Sequence, residues 1–162
     1  MQNHNTDAND KVTHLQGLPG DNQQIVAAII DVYENLNAQS IDRLGELYSD
    51  DIYFEDPAHA IQGISGLKSY FRKLFSNVTH CEFRFNSNLA DSDKVFLSWT
   101  MTLQHSRLRR GEKIFVEGAS LLKTRDGRIY YHRDYFDLGN MLYEHIPLVG
   151  GLVRQIKKGL IS

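Results

Sequence analysis

The residues of this chain best suited to chemistry sit in the segment His132-Arg133-Asp134-Tyr135-Phe136-Asp137. Side chains alternate between the two faces of a strand. Tyr130, His132, Asp134 and Phe136 therefore share one face, and Tyr131, Arg133, Tyr135 and Asp137 the other. With the first face turned to a core, Asp134 is a carboxylate among aromatic rings. A buried charge without a partner is costly, so such a group is paired, hydrogen-bonded or protonated. A second acid, Asp56, follows a short strand in Phe54-Glu55-Asp56-Pro57. Plainer readings stand beside these. Asp134 could belong to a structural network with His132, Arg133 or a helix tyrosine, and Asp56 could make an Asx turn ahead of its proline. Asp137, on the opposite parity, is expected to cap the helix that follows.

These side chains need elements to position them. Ile25, Ala28, Ile29, Val32, Tyr33 and Leu36 recur at helical spacing, predicting an amphipathic helix from Asp21 or Asn22 to about Asn37. A short helix follows Ser40 as N-cap, with Ile41, Leu44, Leu47 and Tyr48 on one side. Asp51 to Asp56 reads as a strand, and Gly63 opens a third helix with Leu67, Tyr70, Phe71, Leu74 and Phe75 as its stripe. The remainder reads as sheet. Cys81, Phe83 and Phe85 alternate with polar residues, as do Val95, Leu97, Trp99, Met101 and Leu103, then Ile114, Val116, Gly118, Ser120 and Leu122. Asp126-Gly127 supplies a tight hairpin into the last strand. Helices followed by antiparallel strands indicate an α+β domain with its helices on one face of a sheet. Parity then brings Phe54, Asp56, Trp99, Met101, Ser120, His132 and Asp134 to inward faces around one apolar cavity. Two carboxylates in such a space form an acid–base pair, because the surroundings raise at least one of their pKa values.

Length and composition bound the function. At 162 residues the chain suffices for one domain with a real core. A net charge of −2 argues against a general affinity for nucleic acid. No apolar run approaches the ~18 residues of a membrane span. Residues 1–20 read as a flexible polar leader without a secretion signal, residues 21–138 as the domain, and 139–162 as a C-terminal helical extension. Cys81 is the only cysteine, which excludes an internal disulfide, fits a cytoplasmic location and reads as a structural thiol. The seven histidines show no metal-ligand spacing, so neither a metal nor another cofactor is expected. The extension is apolar with Arg154, Lys157 and Lys158 near its end. It reads as a segment packing on the domain, as a lid or dimer arm, rather than as a membrane-surface helix or stable membrane anchor.

The order of elements, with the segments Ile41 to Pro57, Gly63 to Phe75 and Gly127 to Leu138, resembles the cone-shaped nuclear transport factor 2-like fold over residues 22–138. That group includes ketosteroid isomerase, limonene-epoxide hydrolase and the SnoaL-like polyketide cyclases. The resemblance implies a curved antiparallel sheet wrapped around three N-terminal helices, and a homodimer through outer sheet faces. It also offers two site patterns. The ketosteroid isomerase pattern puts a general base at Asp56 and an oxyanion hole, made there by a tyrosine and a protonated aspartate, at Val32 and Ser120; Tyr33 falls one residue away. The limonene-epoxide hydrolase pattern puts a water-activating acid at Asp134, with partners at Trp99, Met101, Phe54 and Asp56. Of that second set only Asp134 keeps the required type, since Met101 cannot protonate an epoxide oxygen.

The resemblance thus implies a SnoaL-like protein that takes an apolar small molecule, a cyclic one included. Asp134 or Asp56 would be the general base for isomerisation, cyclisation or hydrolysis. His132 and Ser120 would be donors, Phe54, Trp99, Met101 and Tyr33 the walls, and His59 a group at the mouth. A pocket that binds without turnover, and a dimeric interaction module with a vestigial cavity, are the alternatives.

Overall fold

A computed structural model describes residues 20–146 and 149–160. The leader expected over residues 1–20 falls almost wholly outside them. The chain forms an α+β fold around one six-stranded, unclosed sheet. The helices are α1 (Gly20–Glu34), α2 (Leu44–Leu47, entered through a 3-10 turn at Ile41–Arg43), α3 (Ile64–Phe75), α4 (Leu138–Met141) and α5 (Val149–Gly159). The strands are β1 (Tyr48–Glu55), β2 (Ala60–Gln62), β3 (Val78–Ala90), β4 (Lys94–His105), β5 (Ile114–Arg125) and β6 (Arg128–Phe136). Their order across the sheet is β2-β1-β6-β5-β4-β3. Only β1 and β6 run parallel.

The core lies between α1, α3 and the inner face of the sheet. Ile25, Val26, Ile29, Val32 and Tyr33 of α1 pack with Leu67, Phe71 and Phe75 of α3 and with Ile52, Phe54, Val95, Leu97, Leu122 and Ile129 of the strands. Burying one such large side chain contributes roughly 1.5–3 kcal/mol, so this cluster is the main source of stability. The buried Asn22 fastens the start of α1 to the sheet: its amide donates to the Asp91 carbonyl and its oxygen accepts from Thr124 Oγ1.

Several local expectations are corrected. Ser40 does not cap the second helix. Its hydroxyl is taken up in the preceding turn, accepting from the Asn37 N–H and donating to the Asn35 carbonyl. β1 starts at Tyr48, which therefore belongs to the sheet rather than to a helix stripe. In β6 strict alternation fails near the hairpin. The Asp126-Gly127 turn, both residues at positive φ as a tight hairpin demands, is followed by a register shift that leaves Tyr130 without a partner on β5. A bulge moves parity by one residue. Ile129 is thereby buried on the inner face, while Tyr130 lies under the Arg125 guanidinium. His132 and Asp134 regain the inward face beyond it. Asp137 caps α4, accepting from the Asn140 N–H at 3.0 Å. α5 meets the 3-10 turn Tyr143–His145, but its Val149, Leu152 and Ile156 stay exposed. The segment that reaches the sheet is α4, through Met141 against the Trp99 cluster.

Candidate functional site

Register fixes the site. Ser120 on β5 stands opposite Asp134 on β6, and Leu122 stands opposite His132. Trp99 on β4 stands opposite Gly118. A Cβ on Gly118 would sit 2.2 Å from the indole, so the absence of a side chain there lets Trp99 lie across the strand. In that pose Trp99 Nε1–H donates to Ser120 Oγ at 2.8 Å. The Ser120 hydroxyl donates in turn to Asp134 Oδ1 at 2.5 Å.

A second chain of bonds reaches the same oxygen. His132 Nε2 lies 2.7 Å from Asp134 Oδ1. Its Nδ1 lies 2.7 Å from the Tyr48 hydroxyl, which lies 2.6 Å from the Tyr33 hydroxyl. Burial pushes both phenols well above their ordinary pKa, and nearby negative charge, including that of Asp134, adds to this, so both keep their protons. The arrangement that gives every donor in this chain an acceptor has Tyr33 donating to Tyr48, Tyr48 to His132 Nδ1, and His132 Nε2–H to Asp134 Oδ1. Both chains end on Oδ1. Oδ2 accepts nothing among the described residues.

Asp134 lines a narrow cleft with Ile29, Tyr33, Phe83, Phe85, Trp99 and Ser120. Its volume open to water is about 10 Å³, on the order of a single water molecule. Ligand sites commonly offer ~300–1,000 Å³, so occupation by a larger molecule requires the walls to part. A wider hollow lies elsewhere, lined by Gln24, Ile25, Ala28, Glu46, Leu47 and Gly127.

Asp56 is held elsewhere. It lies just beyond the end of β1 in an Asx turn, with Oδ1 accepting from the N–H groups of Ala58 and His59, both at 2.7 Å. Oδ2 accepts from the Tyr70 hydroxyl. Asp56 does not line the cleft, so the expected sharing of one cavity by both carboxylates is not formed. His59 is exposed beside Asp56 and Tyr70, away from the cleft. Phe54 is buried between His132, Tyr70 and Phe71. Met101 packs with Trp99, Ile114 and Val116 behind the cleft wall. Neither His132 nor Ser120 is a free donor, because the His132 Nε2–H and the Ser120 hydroxyl hydrogen are both given to Asp134 Oδ1. Tyr33, although one residue from the aligned helix position, turns its ring and hydroxyl inward; Val32 beside it is plain core.

Tyr48, Phe83, Phe85 and Tyr70 were not singled out as site residues by sequence. Tyr48 shares even-numbered parity with Ile52 and Phe54, a signal that emerges once β1 is extended by three residues. Phe83 and Phe85 carry only the alternation of an ordinary core strand. Cys81 of the same strand has its thiol pushed up to about 12 by burial, as a structural cysteine does. Among the described residues no cluster of His, Cys, Asp or Glu is placed to hold a metal ion, and no helix is long and apolar enough to cross a membrane.

Comparison with solved structures gives the same architecture. A protein named as a SnoaL-like polyketide cyclase from Jannaschia sp. CCS1 superimposes with a TM-score of 0.65 at 18% identity, over 74% of this chain and 90% of its own. A Mycobacterium tuberculosis epoxide hydrolase of the limonene-epoxide hydrolase-like type gives 0.61 at 23%, over 85% and 96%. A Catenulispora acidiphila protein with a ketosteroid isomerase-like fold, solved with trimethylamine, gives 0.64 at 20%, over 74% and 89%. These identities carry the fold across, and no activity or ligand. None of the curated proteins matches the chain. The SnoaL-like domain family matches residues 29–132, well over half of the sequence, and this chain belongs to that family.

Proposed function

We propose that this SnoaL-like domain binds a small molecule with an apolar body in the Asp134 cleft and uses Asp134 Oδ2 as a general base. The observation that carries this reading is the convergence of two hydrogen-bond chains on Oδ1, which fixes the carboxylate and leaves its other oxygen without a partner among the described residues, in a side chain that lines the cleft. A carboxylate that removes a proton and returns it within one substrate needs no second exchangeable group. That favours isomerisation or cyclisation. Epoxide hydrolysis also needs a donor to the leaving oxygen, and Met101 supplies none. The reading includes a homodimer through the outer sheet face, where Phe96, Phe115 and Tyr135 are exposed.

Binding without turnover is a second reading, favoured by one observation: His132 and Ser120 are both committed to Asp134. The test is a screen of cyclic ketones and related apolar substrates with the wild type, Asp134→Asn and Asp56→Asn. Loss of a general base lowers turnover by about 10²–10⁴-fold. We expect that loss in Asp134→Asn with ligand affinity retained, and near wild-type turnover in Asp56→Asn. Turnover that survives Asp134→Asn refutes the base assignment. Saturable binding with no turnover in any protein favours the second reading.

A further inference from the structure

The cleft combines a carboxylate with a corner of aromatic rings. Phe83 stands nearly perpendicular to Tyr33 and to Trp99, with centroids 5.5 Å away in each case, and Phe85 lies nearly parallel to Phe83 at 6.4 Å. All four rings line the cleft with Asp134. Ring faces carry negative electrostatic potential, so rings that meet at right angles around a space favour a cation inside it. Asp134 adds a carboxyl group to the same space.

Among the described residues no lysine or arginine pairs with Asp134. The nearest arginine in sequence, Arg133, is on the opposite face, bound to Glu55 at 3.0 Å and stacked over Tyr135. Ser120 and His132 each give Asp134 a hydrogen bond, both on Oδ1. A neutral apolar guest would strip water from Oδ2 and return nothing, which is costly for a carboxylate. A compact ammonium ion with its own hydration shell suits the carboxylate but not the rings. An alkylated ammonium suits both, since its methyl groups carry the charge to the ring faces and its bulk is apolar.

We propose that the ligand class of this cleft is a small tertiary or quaternary ammonium ion, caged by Tyr33, Phe83, Phe85 and Trp99 and neutralised by Asp134. This inference rests on the cleft being the ligand site. Entry requires the ring corner to part. Phe83 and Phe85 lie on β3, an edge strand with β4 as its only sheet neighbour and a register break just after Phe85.

Trp99 is the only tryptophan in the chain and forms part of the cage, so its fluorescence reports the site directly. The probes are tetramethylammonium chloride and tert-butanol, of similar bulk but different charge, titrated against the whole protein with sodium chloride holding ionic strength constant. We expect a saturable change in Trp99 emission with tetramethylammonium in the millimolar range or below, and at least tenfold weaker binding of tert-butanol. Asp134→Asn should weaken the cation at least tenfold. Phe83→Leu keeps Asp134 and an apolar side chain but removes a ring face, and should weaken the cation severalfold without weakening tert-butanol. Equal or tighter binding of tert-butanol overturns the ammonium assignment and leaves the cleft as an apolar site. Failure of both probes to give a saturable response removes both the assignment and the cleft as a ligand site.

Discussion

Replacing Tyr48 by Phe tests the buried chain of bonds at its middle link. Tyr48 is fully buried, and its hydroxyl accepts from Tyr33 at 2.6 Å while donating to His132 Nδ1 at 2.7 Å. Removing it strands the Tyr33 O–H as a donor and His132 Nδ1 as an acceptor, both in residues no more than 5% exposed. Each orphaned buried group costs about 1–3 kcal/mol, so Tyr48→Phe should destabilise the protein by roughly 2–6 kcal/mol, a large part of the ~5–15 kcal/mol typical of a domain. Tyr33→Phe removes only the terminal donor and leaves Tyr48 bonded to His132, so it should cost about 1 kcal/mol. Adding Tyr33→Phe to Tyr48→Phe abolishes one of the two orphans. The double variant should therefore be more stable than Tyr48→Phe alone. Urea unfolding followed by circular dichroism, with slopes compared to confirm an unchanged denatured state, gives all three values. If Tyr33→Phe costs more than Tyr48→Phe, or the double variant is the least stable of the three, the donor order is wrong.

Three further outcomes follow from the same contacts. Gly118→Ala should cost about 1–3 kcal/mol by overpacking, because the new Cβ collides with the Trp99 indole; a change below about 0.5 kcal/mol, the range of surface substitutions, would show that the ring moves aside freely. Stability should fall as pH rises above 10, the ordinary tyrosine value, since Tyr33 and Tyr48 hold their protons in the folded state and release them once unfolded. Each contributes up to about 1.4 kcal/mol per pH unit, and denaturation midpoints that stay flat from pH 10 to 11 would contradict their burial. Asp137→Ala removes the cap of α4 and one partner of Lys157, whose ammonium also meets Glu144 at 2.6 Å, and should speed amide exchange across α4 and α5 while leaving β6 protected.

Much of the fold was legible because long strands and helices repeat their burial pattern many times. The alternation of Ile114, Val116, Ser120 and Leu122, for instance, appears unchanged as the buried face of β5. The failures sit where one residue decides. The unpaired Tyr130 inverted parity at the start of β6, and the short strand β2, whose two end residues Ala60 and Gln62 are exposed, lay in what reads as a loop. At the site, sequence placed Asp134, His132 and Ser120 on one inner face correctly but could not say what their hydrogens were bonded to. Parity gives direction, whereas the saturation of His132 depends on Tyr48 reaching it across 84 positions of sequence. Asp56 shows the complementary error. Its residue type and its Glu-Asp-Pro setting fit a base, yet the chain turns just beyond β1 and spends both oxygens on Tyr70 and the loop backbone.

The contrast between the two acids is what favours Asp134 over Asp56 for the proposed chemistry. Both are largely buried on the side-chain level, with Asp56 6% and Asp134 16% exposed, so burial alone ranks Asp56 first. Hydrogen-bond accounting reverses that order. Asp56 accepts on both oxygens from groups that also define its turn, and moving it would dismantle the turn. Asp134 accepts two bonds on a single oxygen, from a serine and an imidazole that are themselves anchored by Trp99 and Tyr48. Holding a carboxylate by one oxygen restrains it while leaving the other oxygen free to meet a guest, the arrangement that preorganised catalytic and binding groups require. In the proposed function His132 is a positioning residue that acts through Asp134. Replacing it by Gln, whose amide nitrogen falls near the place of Nε2 and can still donate to Oδ1, should preserve ligand binding better than Ala does, and equal losses in His132→Gln and His132→Ala, with folding intact, would refute that role.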